Sequence, residues 1–137
     1  MQKLIFVVDD NDTNLVMAKE ALKEYYRVMT MPSAKKMFGL LEKITPDLIL
    51  LDIEMPEMDG FEALQLLKGN SAQANIPVIF LTGIKNSSVE ARGFDLGVTD
   101  FITKPFSIST LRNRIKTYLN EGELDEHPAS RAEPDRC

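Results

Sequence analysis

Cysteine is nearly absent: one residue, Cys137, in a chain of 137. A single thiol excludes an internal disulfide framework and suits a reducing compartment. An excess of positive charge is also missing, since 16 Lys and Arg face 21 Asp and Glu for a net charge of −5. That balance argues against direct binding to nucleic acid or to an anionic membrane, because both require a positive field. Long apolar runs are missing too. None approaches the roughly 18 residues needed to span a bilayer, and the short run Met1–Val8 meets acids at Asp9 and Asp10 where a signal peptide would continue. These absences point to the cytoplasm. What remains is an ordinary globular composition, 44% hydrophobic and 27% charged, in a length that fits one domain with a sizeable core.

The apolar residues that are present come in short blocks. Leu4–Val8, Leu48–Leu51 and Val78–Leu81 are almost continuously apolar. Strands buried on both faces read this way, as in a parallel sheet covered by helices. Arg27–Met31 and Asp100–Thr103 fit two further strands. Between the blocks, apolar residues recur every three or four positions. Leu15, Ala18, Leu22 and Tyr25 predict a helix behind an N-cap at Asp12. Met37, Leu40, Leu41 and Ile44 predict another, beginning at Ser33 or Pro32, and Phe61, Leu64 and Leu67 a third that stops near Gly69–Asn70. Ser88–Leu96, followed by Gly97, is a helix of weaker pattern. Ser107–Leu119 places Leu111, Ile115 and Leu119 on one face. Met17, Met29, Met31 and Met37 are expected as core filler. The order is β-α five times over, which predicts a doubly wound α/β sandwich with right-handed crossovers.

From Glu121 onward the pattern stops. Residues 121–137 hold one large apolar residue and no period, and they contain His127, which is therefore not expected to be a ligand. This stretch is expected to be disordered: a native tail, the start of a linker to an output domain, or appended sequence. Residues 1–120 are expected to form the folded domain.

In doubly wound sheets the ligand site lies beyond the carboxyl ends of the strands. Asp9 and Asp10 follow the first strand, Asp52 the third, Thr82 the fourth, and Thr103-Lys104-Pro105-Phe106 closes the fifth. The fold thus gathers three carboxylates, a hydroxyl and an ammonium on one rim. Carboxylates sharing a site repel one another, and a hard divalent cation relieves that repulsion. Mg²⁺, which favours one or two carboxylates with waters and phosphate oxygens, suits the donor set. Such a site also suits phosphoryl transfer, with Asp52 on the central strand as nucleophile, Asp9 and Asp10 toward the metal, and Lys104 and Thr82 toward phosphoryl oxygens. A tight turn bringing Lys104 to the rim suits a cis Lys104–Pro105 bond.

Val8-Asp9-Asp10-Asn11, then Leu51-Asp52-Ile53-Glu54-Met55-Pro56 with Asp59-Gly60, then Thr82, then Thr103-Lys104-Pro105-Phe106, together resemble the receiver domain of bacterial response regulators in two-component systems. The resemblance covers about Lys3 to Leu119, and its specificity lies in four separated motifs in the right order. It implies a flavodoxin-like (βα)5 sandwich with strand order 2-1-3-4-5 and an aspartyl phosphate at Asp52. It implies Mg²⁺ held by Asp10, Asp52 and the backbone carbonyl of Glu54, with Asp9 helping through water. It also implies a phosphate contact from Lys104, a switch pair of Thr82 and Phe101, and a cis Lys104–Pro105 bond. The implied partners are a sensor histidine kinase or phosphotransfer protein upstream and an output domain or protein downstream, with a homodimer formed on phosphorylation as a further option. Such a domain is a switch and not an enzyme, apart from catalysing its own phosphorylation and dephosphorylation.

Blander assignments account for the remaining polar residues. Asp12 serves as a helix cap, and Asp59-Gly60 as a turn and helix start. Asp10-Asn11-Asp12-Thr13-Asn14 imitates the start of a calcium loop but has Leu15 where glycine is needed and Ala21 where glutamate is needed. A haloacid-dehalogenase-type phosphatase needs a second aspartate where Glu54 stands. A flavodoxin-like nucleotide binder needs a loop rich in Ser, Thr and Gly where Asp9-Asp10-Asn11-Asp12 stands. An inert scaffold would normally have lost Asp52 or Lys104.

Overall fold

Five short strands form one parallel sheet in the computed structural model, which describes residues 2–83 and 86–119. They are β1 (Leu4–Val8), β2 (Arg27–Met31), β3 (Leu48–Asp52), β4 (Val78–Thr82) and β5 (Asp100–Thr103), lying side by side as β2-β1-β3-β4-β5. Helices α1 (Asp12–Leu22), α2 (Ala34–Leu41), α3 (Gly60–Lys68), α4 (Ser87–Leu96) and α5 (Ile108–Leu119) alternate with them. The expected (βα)5 sandwich and its strand order are both present. Residues 120–137, with His127 and Cys137, lie outside the described residues. No helix among the described residues is long and apolar enough to cross a membrane.

The continuous apolar blocks follow from burial on two sides. Along β1, β3 and β4, Phe6, Val8, Ile49, Leu51, Val78 and Phe80 enter one core with Met37, Leu64 and Leu67 of α2 and α3. The alternate residues Ile5, Val7, Leu48, Leu50, Ile79 and Leu81 enter a second core with Leu15, Leu22, Leu111 and Ile115 of α1 and α5. The period of two is real but hidden, because both faces are apolar. Burying each large side chain contributes about 1.5–3 kcal/mol, so the three central strands anchor the structure. The edge strand β2 is buried fully only at Met31.

Helix ends refine the sequence reading. The N-cap of α1 is Asn11, whose side chain accepts from the Asn14 backbone N–H at 3.1 Å, and Asp12 is the first helical residue. Asp12 therefore favours the helix through its charge near the N-terminal dipole and not as the cap. Ser33 caps α2. Asp59 caps α3 in a reciprocal box: it accepts from Glu62 N at 2.9 Å while Glu62 Oε1 accepts from Asp59 N at 3.0 Å. Asn86 caps α4, which starts one residue earlier than expected, and Gly97 ends it at φ 100°. Met31 and Met37 are buried and Met29 is packed against the core, but Met17 is 42% exposed on the outer side of α1 and fills no core.

Candidate functional site

The strand order reverses at β1, whose neighbours are β2 and β3, so the ends of β1 and β3 flank the crevice of the sheet. Val8 lies opposite Leu51; Asp9 follows β1 directly, and Asp52 is the last residue of β3, still paired with Leu81 of β4. Asp9 is fully buried and Asp52 is 2% exposed, whereas Asp10 faces solvent. Each of Asp9, Asp10 and Asp52 offers a carboxylate oxygen within 4.8 Å of the others. From the far edge, β5 delivers Lys104, whose backbone N–H donates to the Thr82 carbonyl at 2.7 Å. Its ammonium reaches across β4 to donate to Asp52 Oδ1 at 3.0 Å and Asp9 Oδ2 at 3.2 Å. The Lys104–Pro105 peptide bond is cis. Thr82, 3% exposed, ends β4 beside Asp52's neighbour Leu81.

Burial pushes the Asp52 carboxyl up to about 7, with the hydrogen bond from Lys104 acting in the opposite direction and the charge of Asp9 adding to the rise. Lys104 is also desolvated, which disfavours its charge, but Asp52 and Asp9 outweigh that and hold it above its ordinary value. Among the described residues, the ammonium of Lys104 is thus shared by two of the three carboxylates at this rim. The oxygen donors Asp9, Asp10 and Asp52 fit a hard divalent cation, which would relieve their mutual repulsion.

The loop from β3 to α3 forms the wall of the site. Ile53 and Met55 are buried, Glu54 is exposed, and Glu57 adopts φ 71°. Met58 N–H donates to the Pro56 carbonyl at 2.8 Å across Glu57, the hydrogen bond of a tight γ-turn with its central residue in a strained conformation. Gly60 N–H donates to the Ile53 carbonyl at 2.7 Å, closing the loop. A β-carbon at Gly60 would lie 2.7 Å from the Asp52 carbonyl oxygen and 2.8 Å from Ile53 Cα. The glycine is therefore required for the close approach of α3 to the strand that carries Asp52. A groove of about 430 Å³ opens beside this wall, lined by Glu54, Asp59, Phe61, Thr82, Val89 and Arg92.

Phe101 lies on β5 opposite Phe80 and is partly buried. Its ring packs between Phe80, tilted at 60° with centroids 5.6 Å apart, and Phe94, edge-on with centroids 5.3 Å apart. Gly93 is buried directly beneath it: a β-carbon there would come within 2.6 Å of the Phe101 ring. The Phe101 carbonyl accepts from Arg114 Nη1 at 2.6 Å, and Arg114 and Tyr118 both bond Asp100. Sequence reading identified Asp9, Asp10, Asp52, Thr82 and Lys104, and the fold brings all five to one rim. It missed the steric role of Gly60 and the carboxamide of Asn14, which donates to Asp9 Oδ2 at 3.1 Å.

The family model described as the response regulator receiver domain matches residues 5–116. A probable cyclic di-GMP phosphodiesterase of Vibrio cholerae is 42% identical over 118 residues, covering 86% of this chain and 27% of that protein, so the chain spans about a quarter of that relative. Among solved structures, the chemotaxis protein CheY4 of Vibrio cholerae superposes with a TM-score of 0.83 at 26% identity, over 87% of this chain and all of that one. The phosphorylated cyanobacterial phytochrome response regulator RcpA gives 0.79 at 28% identity, over 88% of this chain and 96% of that chain.

Proposed function

Because this chain belongs to the family of response regulator receiver domains, we propose that Asp52 accepts a phosphoryl group from a phosphohistidine on a sensor histidine kinase or phosphotransfer protein. The observation that supports this most directly is the ammonium of Lys104 shared between Asp52 at 3.0 Å and Asp9 at 3.2 Å, with Asp10 at the same rim. An Asp52 oxygen bonds to phosphorus as the donor P–N bond breaks, and the imidazole leaves with the electron pair. Mg²⁺ supplies charge neutralisation for the phosphoryl oxygens, and Asp10, Asp52 and the Glu54 backbone carbonyl would hold it, with Asp9 assisting. The ionised form of Asp52 is the nucleophile, so a cation at the rim also favours attack by lowering the cost of that charge. Lys104 and Thr82 then hold phosphoryl oxygens in place.

The output reading rests on Phe101. Thr82 and Phe101 lie on neighbouring strands, and movement of Thr82 toward a phosphoryl group changes the space beside the ring. The face built from α4, β5 and α5 is where a downstream domain or protein, or a second copy of the chain, reads that change. The domain works in the cytoplasm without binding nucleic acid itself. Mass spectrometry after incubation with Mg²⁺ and a small phosphodonor tests the acceptor. One phosphoryl group should appear on the wild type and none on Asp52→Asn, and an equal modification of the variant would remove Asp52 from the role.

A further inference from the structure

Asp9 is fully buried, and its carboxylate accepts three hydrogen bonds. Oδ1 accepts from the Asn11 backbone N–H at 2.9 Å, while Oδ2 accepts from both the Asn14 side-chain amide at 3.1 Å and the Lys104 ammonium at 3.2 Å. Asn14 stands in the first turn of α1, and the cap at Asn11 turns that helix so that its third residue points back at the end of β1. The carboxamide does not touch Asp52 or Lys104 in the hydrogen bonds of the described residues. Its partner is the oxygen for which Lys104 also donates.

Resting on the reading of Asp52 as the phosphoacceptor, we propose that Asn14 is a positioning residue that frees Lys104 for the phosphoryl group. Lys104 has two carboxylate partners before phosphorylation, and a phosphoryl group on Asp52 becomes a third claimant. To serve it, the ammonium must loosen its hold on Asp9. A buried carboxylate oxygen stripped of its donor is expensive, and this cost would keep Lys104 where it is. The Asn14 amide keeps Oδ2 satisfied when the ammonium leaves. It is a neutral donor, so it satisfies the oxygen without cancelling the negative charge that the rim presents to a metal ion. Without it, Lys104 is the sole side-chain donor to that oxygen and stays bound to Asp9.

Beryllofluoride with Mg²⁺, the phosphoryl mimic, tests this through binding and not through turnover, read from the Phe101 amide shift in an NMR titration. Asn14→Ala should weaken beryllofluoride binding roughly tenfold, the loss expected for one hydrogen bond to a charged group. In a Lys104→Ala background the same substitution should cost less than about twofold, because the ammonium whose release it governs is gone. A merely structural role in α1 would give equal losses in both backgrounds, and that result would overturn the proposal, as would unchanged affinity in Asn14→Ala itself. Asn14→Leu, which removes the donor and keeps the side-chain bulk, should match Asn14→Ala, so a local packing defect in one variant cannot imitate the effect. If the wild type fails to bind beryllofluoride, the acceptor reading falls with it; coupling absent in a wild type that does bind refutes Asn14 alone.

Discussion

The Asp52 carboxylate is held in a state it resists. Its pKa in the folded protein is about 7, against 3.8 for the ordinary side chain, chiefly because of burial. The folded state therefore binds a proton more tightly than the unfolded one between those values. The stability this lends is complete below about pH 4 and is lost as pH rises through 7. Asp52→Asn, which mimics the neutral acid, should consequently stabilise the protein more at pH 8.5 than at pH 5, by roughly 2–3 kcal/mol. Thermal unfolding of both proteins at the two pH values measures this, and Mg²⁺ should narrow the difference; a gap identical at pH 5 and 8.5 would contradict the assignment. Gly60 poses a steric question at the same scale. Alanine is the better helix former by about 1 kcal/mol, but its β-carbon would meet the backbone of Asp52 and Ile53 at 2.7 and 2.8 Å, neither of which can swing aside. Gly60→Ala should lose roughly 2–3 kcal/mol in denaturant unfolding and slow phosphorylation by displacing the loop behind Asp52.

Among the elements, α4 is the least anchored to the sheet. Within α4 Gly93 alone is buried, and Val89 and Leu96 are only partly so. That is why its hydrophobic period was faint in the sequence, whereas α3, which buries Phe61, Ala63, Leu64 and Leu67, was plain. On propensity alone Gly93 weakens the helix by about 1 kcal/mol relative to alanine. In the fold the missing side chain makes room for the Phe101 ring. The nearest obstacle to a β-carbon there is the far end of the partly exposed Phe101 side chain, with the buried Phe80 ring at 3.2 Å as a second, so it is the Phe101 ring that moves while the helix gains propensity. Gly93→Ala should therefore leave global stability within about 1 kcal/mol and displace the ring. Loss of the cross-relaxation between Phe80 and Phe101 would show this in NMR, and an unmoved ring would refute it. Asp12 was misassigned as the cap because Asn and Asp cap equally well, and spacing alone cannot separate neighbours. Asn14 could not be found at all from periodicity, since its contact with Asp9 depends on the direction in which α1 leaves the strand.

Across the whole molecule, what was legible was what topology alone dictates. Five parallel strands send their carboxyl ends to one rim, so chemistry-bearing residues placed after strands had to converge. Distances, burial and the sharing of one ammonium needed coordinates. So did the division into two cores, which sequence patterns cannot reveal when both faces of a strand are apolar.

The sharing of that ammonium also sets a time. Lys104 lies 95 positions after Asp9 and 52 after Asp52 along the chain. During synthesis at about 5–20 residues per second, both acids leave the ribosome several seconds before the cation that serves them. Until β5 docks on the open edge of β4, the two carboxylates lack their common partner. An unfinished copy should therefore be unable to hold a phosphoryl group, and no message can be loaded onto a partly made messenger. Arrested nascent chains of increasing length, offered Mg²⁺ and a phosphodonor, should begin to carry label only once Lys104 has cleared the exit tunnel; label on chains that end before β5 would contradict this.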